Sequence, residues 1–265
     1  AILLWVRGRE SAFRRRVHMA RLRFSRSTAG AAAVAVALIL TLGGFIFYNT
    51  NVLNEYITED ELIQRRVEYE RRYGKYEGIP QPVRVGTNLR IEINPDQRAA
   101  TVRGSYRLVN RDATPIDSVH LEPAFYVQTR VTFGRPFRQV VADGELGHDI
   151  YALEEPLQPG DSLTLSFDVQ FERRGFRDRR SSLLAASRRS GAGAAIVENG
   201  TYFTSGALPV IGYQPLRELW SADDRRKHGL PRQVTLPPPG DIDPSVAANA
   251  PATFEAIVGT DEDQV

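Results

Sequence analysis

The stretch from Val83 to Asn94 reads VRVGTNLRIEIN: Val83, Val85, Thr87, Leu89, Ile91 and Ile93 alternate with Arg84, Gly86, Asn88, Arg90, Glu92 and Asn94. A period of two sends alternate side chains to opposite faces of a pleated strand, so one face is buried and the other solvated. The turn Pro95-Asp96-Gln97-Arg98 then leads into Ala100, Val102, Tyr106 and Leu108 at alternate positions, the return arm of a hairpin. Further on, Val119 to Leu121, Val127 to Phe133 and Phe137 to Val141 read as short strands, with a hairpin turn at Ala142-Asp143-Gly144. After a second turn at Gln158-Pro159-Gly160-Asp161, Leu163, Leu165, Phe167, Val169 and Phe171 alternate with Thr164, Ser166, Asp168 and Gln170. Strands at this spacing predict a mainly β fold, an antiparallel β-sandwich or saddle-like domain built over about residues 80 to 175.

Working towards the N-terminus, Ile79 to Pro82 breaks the pattern and a helix precedes it. Thr58 and Glu61 form a capping box, Glu59, Asp60 and Glu61 place negative charge at the positive end of the helix, and Gly74 supplies a stop. Leu62, Tyr69, Tyr73 and Tyr76 fall on one side. Arg65, Glu68, Arg71 and Arg72 on the other read as a solvated face, so the helix is expected to connect, within a segment 49–79.

Still earlier, Ala29 to Tyr48 is a run of twenty residues without a charge. At about 1.5 Å per residue it spans about 30 Å, the thickness of a bilayer hydrocarbon core. A signal peptide has a shorter apolar part ending at small residues, whereas this run ends in Phe45, Ile46, Phe47, Tyr48 and Asn49. A buried soluble helix of this length would carry a polar stripe. The expectation is an uncleaved transmembrane helix over residues 29–48, with the lipid bilayer as a partner.

The overall charge of +2 hides an asymmetry: residues 1–28 hold eight Arg and one Glu, and the remainder 26 basic and 31 acidic side chains. Arg14, Arg15, Arg16, Arg21, Arg23 and Arg26 lie close before the span, which by the positive-inside rule puts the N-terminal side in the cytoplasm. The remainder, a domain over residues 80–265, is then expected outside the cytoplasm, anchored in the inner (plasma) membrane. The chain starts at Ala1, and AILLWV from Ala1 to Val6 reads as the end of an earlier span, which makes it a fragment with a short cytoplasmic loop at 1–28. Trp5, Phe13 and Phe24 among the arginines equally suit an amphipathic segment lying on the anionic inner leaflet.

With no cysteine, thiol nucleophiles, Cys-ligated zinc and iron–sulfur clusters are excluded. Of His18, His120, His148 and His228, none belongs to an H-E-x-x-H pair, and neither a G-x-S-x-G elbow nor a Walker-type loop occurs. His120, in SVHLEP, reads as an edge position satisfied by water. Glu145, His148 and Asp149 read as a solvated hairpin after Asp143-Gly144. Arg173, Arg174, Arg177, Arg179, Arg180, Arg188 and Arg189 fall in a Ser-, Ala- and Gly-rich loop up to Ala195. Glu172 and Asp178 interrupt them and stacking aromatics are sparse, so no nucleic-acid partner is expected. Gly191 to Ile196 lacks the preceding strand and third glycine of a dinucleotide loop. Between Glu198 and Leu219, Asn199, Tyr202 and Tyr213 mix with glycines; the segment reads either as pocket lining or as a hairpin turn at Asn199-Gly200 with core aromatics.

Several stretches together, FYNTNVLNEY after the span, YERRYGKYEGIPQP, PGDSLTLSFDVQF, ENGTYF, LPVIGYQPLREL and GTDEDQV, resemble a bacterial membrane protein family. In it a transporter permease-like part is joined to an extracytoplasmic domain similar to zinc aminopeptidases of the aminopeptidase N type. The resemblance implies that residues 80–265 correspond to the N-terminal non-catalytic β-domain, with further strands beginning at Thr253 to Gly259. It implies zinc, a peptide substrate and a transporter ATPase subunit as partners of the full-length protein. The family's zinc motif, H-E-x-x-H with a more distant Glu, and its G-x-M-x-N substrate loop are absent from these residues, so no catalytic or metal-binding residue is expected here. The same likeness implies a polar side chain offered to the substrate's free amine; the position most similar is Gln214, with Asn199 and Tyr202 as neighbours. The rival expectation is a peptide- or partner-binding domain coupled to a permease without hydrolysis.

Overall fold

The computed structural model describes residues 14, 17–18, 21, 25–53, 58–124, 128–172, 194–197, 200–203, 207–233 and 252–261. The chain divides into two compact units, Ala1–Glu55 and Tyr56–Val265.

In the first unit, α1 (Arg26–Phe47) begins at Ser25, whose Oγ accepts the Thr28 N–H at 3.2 Å. It continues through a wider π turn, Tyr48–Val52. A π turn loosens the preceding carbonyls, and polar side chains take them up: Asn49 Nδ2 donates to the Phe45 carbonyl and Thr50 Oγ1 to that of Ile46, both at 2.8 Å. The helix from Arg26 to Val52 has 27 residues, long and apolar enough to cross a membrane, and none of its apolar stretch is buried in protein.

The second unit is mainly β. Its strands are β1 (Val83–Asn94), β2 (Ala99–Val109), β3 (Ile116–Glu122), β4 (Gln128–Phe133), β5 (Phe137–Asp143), β6 (His148–Leu157) and β7 (Ser162–Glu172). Then come β8 (Ala194–Val197), β9 (Gly200–Phe203), β10 (Val210–Ile211) and β11 (Thr253–Gly259). One sheet has the order β11-β1-β2-β7-β4, the second β10-β3-β6-β5, and β8 pairs with β9. All pairings are antiparallel except β11 against β1, which is parallel.

The two sheets share one core. Leu89, Val102, Tyr106, Leu165 and Val169 of the first meet Val119, Leu121, Tyr151 and Leu153 of the second. Burying each such side chain stabilises the fold by about 1.5–3 kcal/mol, the main force holding the layers together. Gly104 is required within this core: a Cβ there would lie 2.4 Å from Phe167 Cζ and 2.7 Å from Leu89 Cδ2. The strand registers set that crowding, since Gly104 stands opposite both Leu89 and Phe167. At one end the fully buried Asn110 ties two turns together, its Nδ2 donating to the Thr114 and Leu157 carbonyls, both at 2.8 Å, and its Oδ1 accepting the Asp112 N–H at 2.9 Å.

Helix α2 (Glu59–Tyr73) starts as its sequence requires, with Thr58 Oγ1 accepting the Glu61 N–H at 3.2 Å. It is no free-standing rod. Val67, Tyr69 and Tyr73 are buried, and its other flank meets residues 207–233, which form a strap. The strap runs from β10, paired with β3, through a tight turn at Pro215–Arg217 into the short helix α3 (Ala222–Lys227). Arg71 is exposed, as expected, and also donates to the His228 carbonyl at 2.6 Å. Glu68 and Arg72 do stay about half exposed and pair with each other.

The Arg-rich loop expectation falls on residues 173–193, outside the described residues; Ala194 and Ala195, placed in that loop from the sequence, belong to β8.

Candidate functional site

Because side chains alternate along β3 and β6, Val119, Leu121, Tyr151 and Leu153 face the sandwich core while His120, Glu122 and His148 face the opposite way, under α2. There a polar network is assembled. The Tyr69 hydroxyl donates to Glu122 Oε1, and the Gln214 backbone N–H donates to that hydroxyl at 3.0 Å. Arg217 NH1 lies 3.0 Å from the same Glu122 oxygen, and its guanidinium sits 4.2 Å over the Tyr69 ring. Arg217 also donates to the Gly147 and Leu146 carbonyls. Tyr213 stacks on Tyr69 at 5.1 Å.

The two histidines contradict their expected surface placement. His120 is buried at 3% exposure and His148 at 0%, and His120 Nδ1 faces His148 Nε2 at 3.2 Å. Burial first, and then the neighbouring His148, hold the His120 imidazole down to about 4, with Asp117 pulling the other way. Rather than an edge, β3 is flanked by β10 and β6, and the Gln81 side chain mimics a further strand, accepting the His120 N–H at 2.8 Å and donating to the Ser118 carbonyl at 3.2 Å.

A second group joins the helix to the strap. Arg225 grips Glu70 with two hydrogen bonds of 2.6 and 2.9 Å and donates to the Leu219 and Pro231 carbonyls at 2.6 and 2.7 Å. The Tyr213 hydroxyl donates to Glu218 Oε1 at 2.8 Å. Burial pushes the Glu218 carboxyl up despite that bond. Beside the helix end, an open hollow of about 670 Å³ is lined by Arg72, Tyr73, Lys75, Tyr76, Asp143 and Glu145 among others.

Among the described residues no group of three His, Asp or Glu side chains could hold a metal ion. His120, His148 and Glu122 fail on geometry, because Glu122 lies against His148 Nδ1, across the ring from the Nε2 that faces His120. The three donors cannot converge on one ion. The arrangement fastens a helix and the strap to a sheet through buried hydrogen bonds and ion pairs.

Of the residues singled out from the sequence, Asn199 lies outside the described residues. Tyr202 is in β9, where the backbone alone is described. Gln214 sits at the start of the strap's tight turn, its amide Nε2 donating to the Ile211 and Gly212 carbonyls at 3.1 and 3.3 Å. Sequence reasoning missed Glu122, His148, Arg217 and Arg225. A usable signal existed in HLE at 120–122, where polar residues flank an apolar one inside a strand whose other face must also be covered.

No protein-family model matches the chain, and no curated protein sequence does. Among solved structures it is similar to the M1 zinc metallopeptidase from Deinococcus radiodurans, at 16% identity and a TM-score of 0.27, over 35% of this chain and 21% of that one. A mutant of that enzyme bound to a Tyr-Ser-Ala substrate matches at 15% identity over the same shares. The chain thus spans about a fifth of the length of these enzymes. An overlap of this size and score carries no argument about activity.

Proposed function

We propose that the chain is the membrane anchor and N-terminal non-catalytic β-domain of a larger permease/aminopeptidase-like protein, with the sandwich outside the cytoplasm at the inner membrane. The observation that carries this reading is the order along one chain: an Arg-rich segment, a 27-residue helix fit to cross a bilayer, and a two-sheet β domain. The lipid bilayer is the partner of α1. Catalysis, zinc, the peptide substrate and a transporter ATPase subunit belong to the full-length protein. Among the described residues no group of side chains fits zinc, so no step is routed through it.

The absence of cysteine makes a labelling test clean. Single variants Ser11→Cys and Asp96→Cys in the cell-bound protein are exposed to a membrane-impermeant maleimide. Asp96→Cys is expected to label in spheroplasts and Ser11→Cys only after permeabilisation; the reverse pattern sinks the orientation, and equal labelling sinks the anchor. The full-length protein should in turn release N-terminal residues from peptides, lose that activity to a chelator and regain it with zinc, while the 265-residue chain shows none. Peptide binding without hydrolysis by the full-length protein would favour a binding domain instead.

A further inference from the structure

We propose that the Glu122–His148–His120 row beneath α2 is a proton-sensitive latch, which holds α2 and the strap on the second sheet at neutral pH and releases them in mild acid. The proposal goes beyond the anchoring role and does not depend on it.

The geometry assigns the protons. His148 Nδ1 is buried, makes no hydrogen bond, and lies 3.9 Å from Glu122 Oε1. A bare lone pair there would oppose a carboxylate, so Nδ1 carries the proton and Nε2 is left as the acceptor for the His120 Nδ1–H at 3.2 Å. Both rings are then neutral and joined by one hydrogen bond. A first extra proton can sit between the rings, His120 switching to its other tautomer so that its Nδ1 accepts the His148 Nε2–H, but a second would set two N–H groups head to head at that distance. It would also leave two cations side by side where both rings are almost fully buried.

For His120, burial and the facing His148 outweigh the carboxylates nearby. From α2 and the turn after it come the uncharged hydroxyls of Tyr69 and Tyr73 and the ring of Tyr76. From β3 come Glu122, already paired with Arg217 of the strap, and Asp117, which favours the charged His120. From β5 comes Asp143, opposite His148 in register but held by Arg72 and Tyr73. From β6 comes Asp149, whose carboxyl burial raises, and from the strap Tyr213. Lifting α2 returns the His120 imidazole to water, where a histidine titrates near about 6.5. His120 is held at about 4 in the closed state. The open state therefore binds more protons between those values, so closure weakens as pH falls through that window, by up to about tenfold per pH unit.

Hydrogen exchange of the full chain in detergent micelles, corrected for the intrinsic pH dependence of exchange, tests this at pH 7.5, 6 and 5. Protection of residues 62–73 and 215–227 is expected to fall about tenfold between pH 6 and 5 relative to residues 163–171 in β7. His120→Asn and His148→Gln should remove most of that fall, and His228→Gln, a change at a half-exposed position outside the row, should keep it. Equal losses in β7, no fall at all, or a fall that survives both row variants would overturn the latch. Should the row variants not fold, the ring-proton NMR titration of His120 in the unmodified protein decides: a midpoint below about 5 supports the latch, and an ordinary one near 6.5 overturns it.

Discussion

The two faces of the second sheet are built from adjacent residues of the same strands and obey different rules. Leu121 points into the sandwich and its neighbour Glu122 points under α2; both are buried, at 0% and 3% exposure. On the sandwich side, contact is apolar and non-directional, so size and position in the alternation are enough. On the helix side, each group depends on a named partner: Glu122 on Tyr69 and Arg217, His120 on His148, Glu70 on Arg225. The first face is tolerant in chemistry and costly to hollow out, whereas the second is exact in its pairing and contributes less per residue, because each bond replaces one made to water.

The largest effect should come from the apolar side. Leu121→Ala removes a fully buried side chain between the sheets and is expected to cost about 2–5 kcal/mol, seen as a lower urea midpoint of the whole β unit. Tyr69→Phe removes one hydroxyl from the polar side, leaving Glu122 with a lost donor and the Gln214 N–H without its acceptor. The expected cost is about 1–3 kcal/mol, and it should appear first as lost exchange protection in α2 and the strap. If Tyr69→Phe instead unfolds β2 and β7 as readily as Leu121→Ala does, the two faces form one cooperative unit and the contrast fails.

That contrast also explains what the sequence made legible. Alternation in VRVGTNLRIEIN and SLTLSFDVQFE marks strands with one wet face, and β1 and β7 are such strands. The N-cap at Thr58 is a local bond and was equally readable. In β3 the same alternation misleads: a polar residue between two apolar ones implies solvent, yet a tertiary partner can cover it. His120 and Glu122 are covered by a helix some fifty residues earlier and a strap some ninety residues later, Tyr69 and Arg217 being the contacts. No local pattern encodes so distant a cover. The parallel pairing of β11 with β1 was invisible for the same reason, since a register such as Leu89 opposite Ala256 is a non-local fact.

At the rim of the polar face the effect should be smallest, and Asp143 shows why. Its carboxylate accepts the Leu146 N–H at 2.9 Å, the Tyr73 hydroxyl at 2.6 Å and Arg72 at 2.8 Å. Partial burial works against the charge, but those three donors outweigh it and hold the carboxyl below its usual range. A carboxyl lowered in the folded state contributes stability that is complete above its unfolded value near 3.9 and fades as pH falls through the folded value. Arg72 is half exposed, at 52%, so solvent screens much of the attraction. Asp143→Asn is accordingly expected to cost only about 1 kcal/mol at pH 7. The gap between the two proteins in urea unfolding should stay constant from pH 7 to about 5 and close below about pH 4, once the native carboxyl is itself neutral. That window lies below the one in which the histidine row acts. A gap that opened between pH 6.5 and 5 would mean that Asp143 and the row titrate together, and the rim would then belong to the buried network rather than to its solvated border.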